Sequence, residues 1–133
     1  MNAHGATSPI DKCEQALNRL GELLDEPAEK NYLIDAIAQR FEFSYEMLWK
    51  ALRYGVMQVE GVHPESPRQT FKYAYSYGWV DDQAFLDKLI YYRNLTTHTY
   101  NEAAAKELQH NIRDIHAQMR AILTIVRDKL AEL

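Results

Sequence analysis

The chain has 133 residues, 47% of them hydrophobic, and a formal net charge of −4. This length fits one domain, and this composition excludes a disordered chain. The acidic balance excludes a general nucleic-acid coat, because counterion release needs many Lys and Arg contacts; any RNA contact must come from a local basic spot or a groove completed by a partner.

Residues 1–8 read as a flexible N-terminus and residues 9–133 as a single helical domain. The opening MNAHGATSP lacks a basic region followed by an apolar block, which argues against a secretory signal. No apolar run approaches the length of a membrane span. A soluble cytoplasmic protein without membrane contact is expected. Cys13 is the only cysteine, so it has no companion for a disulfide or a Cys-based metal site, and it reads as a small buried hydrophobe.

The first helix starts at Ser8-Pro9-Ile10-Asp11. Ser8 can cap it, Pro9 suits the first helical position and Asp11 favours the positive end. Ile10, Cys13, Leu17, Leu20 and Leu24 draw one apolar stripe, and Pro27 ends the helix or opens the next. The second helix is expected over 28–59, with Ile34, Ile37, Phe41, Tyr45, Leu48 and Leu52 as its stripe and Trp49 broadening it. Gly55, Gly61 and Pro64 weaken its far end. Ser66-Pro67-Arg68-Gln69 then carries a capping box and opens a short helix that stops at Gly78, a natural left-handed cap.

Asp81 and Asp82 open a fourth helix bearing Phe85, Leu86, Leu89 and Ile90, which runs into Arg93. Thr99 or Asn101 caps the last helix. There Leu108, Ile112, Ile115, Met119, Ile122, Val126, Leu130 and Leu133 recur close to the 3.5-residue period of bundle packing. No stretch alternates like a strand. Four long helices and a short one make an all-α antiparallel four-helix bundle with an additional short helix.

The segment Arg93-Asn94-Leu95-Thr96-Thr97-His98-Thr99-Tyr100 concentrates chemistry. Arg is a permanent cation whose planar fork binds phosphate oxygens, and His exchanges protons near neutral pH. A site that cleaves a phosphodiester without metal needs those two groups. On a continuous helix, however, five positions leave the pair roughly 140° apart. Cooperation requires the helix to loosen near Thr96-Thr97, both weak helix formers, or a second subunit to complete the site. The plain structural reading is that both are helix-end residues facing the negative end of the dipole.

Other residues carry weaker signals. His110 and His116, six apart, are poorly spaced for one metal and read as exposed helix residues; His63 reads as a loop residue. Glu42 and Glu46 could hold a cation but suit a solvated face or a partner such as Arg40 or Lys50. Tyr73, Tyr75 and Tyr77 could stack bases but read as core and interface packing, as do Trp49 and Trp79. Either Tyr91 or Tyr92 could line a cleft next to Arg93. No metal or cofactor is expected.

RNLTTHTY has the R-x4-H-x-Y pattern of the HEPN superfamily. With RFEFSYEMLWKALR in the second helix and SPRQTFKYAYSYGWVDD across the third, the chain resembles the nucleotidyltransferase substrate-binding protein branch of that superfamily, which includes HepT-type toxins. The resemblance covers most of residues 10–130. It implies a HEPN-like bundle forming a two-fold homodimer whose Arg and His residues meet in a shared cleft. It also implies metal-independent endoribonuclease activity, held in check by a separate small nucleotidyltransferase antitoxin that attaches AMP to the motif tyrosine. Arg93 would then bind the scissile phosphate of an RNA substrate, His98 would transfer protons, Asn94 would position RNA or orient His98, and Tyr100 would accept AMP. The alternative is a non-catalytic substrate- or nucleotide-binding subunit of a two-component nucleotidyltransferase. A purely structural helical dimer is a third reading. The chain has no Gly-Ser followed by paired Asp residues, so a transferase activity would reside in another polypeptide.

Overall fold

Local caps set the first and third helices. In the computed structural model, which describes residues 8–27, 31–98 and 102–133, with the backbone alone at Asn31, Thr97 and His98, Ser8 Oγ accepts from the Asp11 amide at 3.1 Å and starts α1 (Pro9–Gly21). Ser66 Oγ likewise accepts from the Gln69 amide at 3.1 Å and starts α3 (Pro67–Ser76). The return bond of the expected capping box is displaced by one residue: Gln69 Oε1 accepts from the amide of Glu65 at 2.8 Å. At the other end of α3, Gly78 has φ +76° and donates to the Tyr75 carbonyl, while the Trp79 amide donates to Ala74 at 2.8 Å. This paired closure needs a left-handed residue, which Gly supplies without Cβ strain.

The remaining elements are α2 (Asn31–Glu60), α4 (Gln83–His98) and α5 (Glu102–Ala131). The described part of the second helix begins at Asn31; residues 28–30, where an earlier start was expected, lie outside the described residues. The helix runs through Gly55 and closes at Gly61, whose φ is +73°. Asp82 Oδ1 accepts from the Phe85 amide at 2.9 Å and caps α4. The expected caps of α5, Thr99 and Asn101, also lie outside the described residues. All described elements are helices, and they form a bundle.

At thirty residues and about 45 Å long by the usual helical rise, α2 is the shared element of the bundle. It packs against α1, α3, α4 and α5. Its buried row of Leu33, Ile37, Phe41, Tyr45, Leu48, Leu52 and Val56 meets Ile10, Cys13, Leu17 and Leu20 of α1 and the apolar row of α5. The Ser44 hydroxyl, fully buried, donates to the Ala16 carbonyl across the α1–α2 contact. Glu14 of α1 accepts from both Arg120 and Arg127 of α5, and Arg120 also bonds Asn18. Near the far end of α2, Gly55 admits Trp79, whose indole N–H donates to Glu60 at 2.8 Å.

Three expectations are corrected. His116 is buried, with Nε2 donating to the Leu17 carbonyl at 2.8 Å, because α1 covers that face of α5; His110 is exposed as expected. Tyr73, Tyr75 and Tyr77 are exposed, since Phe71 and Ala74 supply the inward row of α3. Leu133 is 74% exposed, because α5 ends at Ala131 before another turn can bring it onto the stripe. Cys13 and Trp79 are buried as expected, and His63 lies in the loop after Gly61. No helix among the described residues is long and apolar enough to cross a membrane.

Candidate functional site

The inward row of α4 is Phe85, Leu86, Leu89 and Tyr92. Tyr92 meets Phe41 edge to face at 6.4 Å, which fixes the rotation of α4 against α2. One helical step from this row, Ile90 and Arg93 stand at the edge of the core, half-buried, and Asn94 is exposed. They line a groove of about 520 Å³ together with Tyr45, Glu46 and Trp49 of α2 and Ser66, Pro67 and Arg68 at the start of α3. Arg93 and Glu46 also line a larger groove of about 750 Å³ with Arg19, Ala36, Gln39, Arg40, Glu42 and Phe43. Arg93 therefore stands where two grooves meet.

The charge of this region departs from that of the chain. The two grooves are lined by four arginines against two glutamates, on a protein whose net charge is −4. Glu46 is already engaged with Lys50 at 3.4 Å, and Arg40 with Glu22 at 3.2 Å. No carboxylate pairs with Arg93 among the described residues. The Tyr45 phenol registers the local field: burial raises its pKa above the ordinary value, Arg93 and Arg68 draw it back, and Glu46 adds to the rise. The Trp49 indole N–H in the same wall is shielded and has no acceptor among the described residues.

The helix carrying the motif does not loosen where the paired threonines suggested. The Thr96 hydroxyl donates to the carbonyls of Tyr92 and Arg93 at 3.0 and 3.1 Å, folding its polar atom back onto the helix. The α4 backbone continues to His98. Positions 93 and 98 consequently stand about 140° apart around α4. Of the two routes to a joint site, local unwinding is absent and completion by another copy remains. Tyr100 lies outside the described residues. Neither adjacent tyrosine joins the grooves: Tyr92 is in the core, with its phenol raised by burial and near Glu107 and Asn111, and Tyr91 is exposed. Among the described residues no group of three His, Cys, Asp or Glu side chains could hold a metal ion.

Tyr45, Glu46, Trp49 and Arg68 were not singled out for the site by sequence. Their contribution depends on α2, α3 and α4 converging, and no local motif encodes that convergence.

Residues 8–127 match the family model described as nucleotidyltransferase substrate binding protein like. Among solved structures, the crystal structure of ttk003001694 from Thermus thermophilus is similar with a TM-score of 0.80 and 32% sequence identity, covering 86% of this chain and 98% of that one. No curated protein matches significantly.

Proposed function

The chain belongs to the nucleotidyltransferase substrate binding protein like family, and from that premise we propose that it is an RNA-cleaving subunit of the HEPN, HepT-type class that acts with a separate nucleotidyltransferase. The observation that carries this reading is the placement of Arg93: half-buried at the junction of two arginine-lined grooves, with no carboxylate partner among the described residues. A guanidinium held this way is ready for a phosphate, which it can grip through two parallel N–H bonds.

The reaction follows from the groups in the motif. The 2′-hydroxyl of RNA attacks the adjacent phosphorus, its proton passes to a base, and the 5′-oxygen leaves with a proton from an acid. The products are a 2′,3′-cyclic phosphate and a 5′-hydroxyl end. Arg93 stabilises the added charge on the phosphoryl oxygens. His98 moves a proton, for which general acid–base catalysis supplies about 10²–10⁴-fold. Because positions 93 and 98 face apart on α4, the site combines Arg93 of one copy with His98 of a second in a two-fold dimer. Asn94, exposed next to Arg93, contacts the RNA strand. The partner transferase moves AMP from ATP to the Tyr100 oxygen, releasing pyrophosphate, and the added phosphate competes with RNA for Arg93.

A second reading is favoured by the unbroken α4: the same groove binds a nucleotide or RNA phosphate for presentation to the transferase, without chemistry on this chain. Purified protein incubated with RNA separates the two. Cyclic-phosphate ends that vanish in Arg93→Ala and His98→Ala support cleavage. Retained RNA binding with no new ends in the unsubstituted protein supports presentation. Mass spectrometry after co-expression with the transferase tests for AMP on Tyr100.

A further inference from the structure

The grooves at Arg93 do not end at α3. A third depression, of about 280 Å³, is lined by Arg68, Lys72 and Tyr75 of α3 and by Asp87 and Ile90 of α4, among others. Arg68 and Ile90 belong to both the second and third grooves, as Arg93 and Glu46 belong to both the first and second. The three therefore form one track across the outer faces of α2, α4 and α3.

The arginines without an acceptor among the described residues all fall on this track, which Arg40, tied to Glu22, also lines. Of eight, five are tied to acceptors: Arg40 to Glu22 and the Arg19 carbonyl, Arg53 to Pro64, Arg113 to Leu24 and Asp25, Arg120 to Glu14 and Asn18, and Arg127 to Glu14. The three with no acceptor among the described residues, Arg19, Arg68 and Arg93, all line the track. On α3, Arg68, Lys72 and Tyr75 recur at steps of four and three, so they share one face while Phe71 and Ala74 pack inward. Tyr75 is 44% exposed. A row of cations ending in an open aromatic ring matches a nucleic-acid strand whose bases are free to stack. Glu42, Glu46 and Asp87 are the acidic groups on these walls, and Glu46 is engaged by Lys50.

We propose that α3 forms a second subsite for single-stranded RNA, in which Tyr75 stacks a base and Lys72 and Arg68 hold the phosphates leading to Arg93. The inference rests on the proposed RNA-binding role of the Arg93 groove and extends it by naming a strand form and a path. A duplex is disfavoured because its bases cannot reach the tyrosine ring.

The test is fluorescence anisotropy with a short 2′-O-methyl oligouridylate, which cannot be cleaved at the 2′-oxygen, and the full-length protein. Tyr75→Ala is expected to weaken binding by roughly 5- to 150-fold, the range for loss of one base stack, and Tyr75→Phe to retain it. Lys72→Ala is expected to reduce the salt dependence of binding by about one ion. These side chains are exposed, and circular dichroism checks that the variants are folded. If Arg93→Ala abolishes binding but Tyr75→Ala and Lys72→Ala bind as well as the unsubstituted chain, the α3 subsite is wrong and the Arg93 groove stands. If the unsubstituted chain does not bind the probe, both fail. If Tyr75→Ala binds RNA normally but no longer retains the co-expressed transferase, α3 is a protein-docking face and the proposal is overturned.

Discussion

Arg93 of α4 lies close enough to Tyr45 of α2 that its charge lowers the proton affinity of a phenol that burial has raised. The two residues come from helices well separated in the sequence, and both line the groove that reaches Arg68. Tyr45 is therefore a built-in reporter of the cation. In Arg93→Ala the Tyr45 pKa should rise further, because the largest remaining influence is burial. Phosphate bound at Arg93 should move it in the same direction by neutralising the cation. NMR titration of labelled tyrosine reads both, and an unchanged Tyr45 curve in Arg93→Ala would contradict the geometry.

Activity should depend on both motif residues and on their belonging to different copies. His98→Ala is expected to lower RNA cleavage by about 10²–10⁴-fold, the usual contribution of a general acid or base. Mixed after unfolding and refolding, Arg93→Ala and His98→Ala chains should regain part of the lost activity, because a mixed dimer holds one intact pair. A site built within one chain would show no recovery.

Stability should fall at alkaline pH. Burial pushes the Cys13 thiol up to about 12 from an ordinary value of 9.0, and it also raises Tyr45 and Tyr92. For Cys13 the folded state holds its proton where the unfolded state has lost it. The stabilising contribution is complete below pH 9 and is lost between 9 and about 12, with a slope of up to about 1.4 kcal/mol per pH unit. Urea denaturation across that window should give a shallower slope for Cys13→Ala. The native thiol should also resist alkylation at pH 8 and react once the chain is unfolded.

Gly55→Ala should destabilise the fold despite the better helix propensity of Ala. A Cβ there would lie 2.9 Å from the Trp79 ring and 3.0 Å from Val126. Both neighbours are buried, and Trp79 is further held by Glu60. Overpacking of this kind costs about 1–3 kcal/mol, against about 1 kcal/mol gained from propensity. A thermal midpoint equal to or above that of the unsubstituted chain would show that α2 can move away from Trp79.

Ser66→Ala should cost about 1 kcal/mol through loss of the α3 cap. The same change should weaken binding of the oligouridylate, because Arg68 stands in the first turn that Ser66 closes. Stability and anisotropy measured on one preparation separate the two effects.

The ends of α1 and α3 were legible because their signals are local: Ser8 with Pro9, Ser66 with Gln69, and Gly78 each act within a few residues. The apolar rows of α2 and α5 were legible from spacing alone. His116 was not, since its burial depends on a carbonyl of Leu17 contributed by the opposite end of the chain. The three tyrosines of α3 were misjudged because a phenol suits a packed or an open surface equally, and Phe71 and Ala74 had taken the inward row. In the site, Arg93 was evident from its motif. Arg19 and Arg68 were not, because a groove built from separate helices has no sequence spacing of its own. The motif's helix also continues to His98 where its threonines implied loosening, with the Thr96 hydroxyl bonded back to the turn before it.

On α3 the track takes its cations and its open ring from the outward row of a helix whose inward row is the core. Arg68 and Lys72 can be exchanged without moving Phe71, and Tyr75 without moving Ala74. Relatives could thus inherit this scaffold unchanged while acquiring new ligand preferences one surface position at a time, so that divergence in recognition need leave no trace in the architecture.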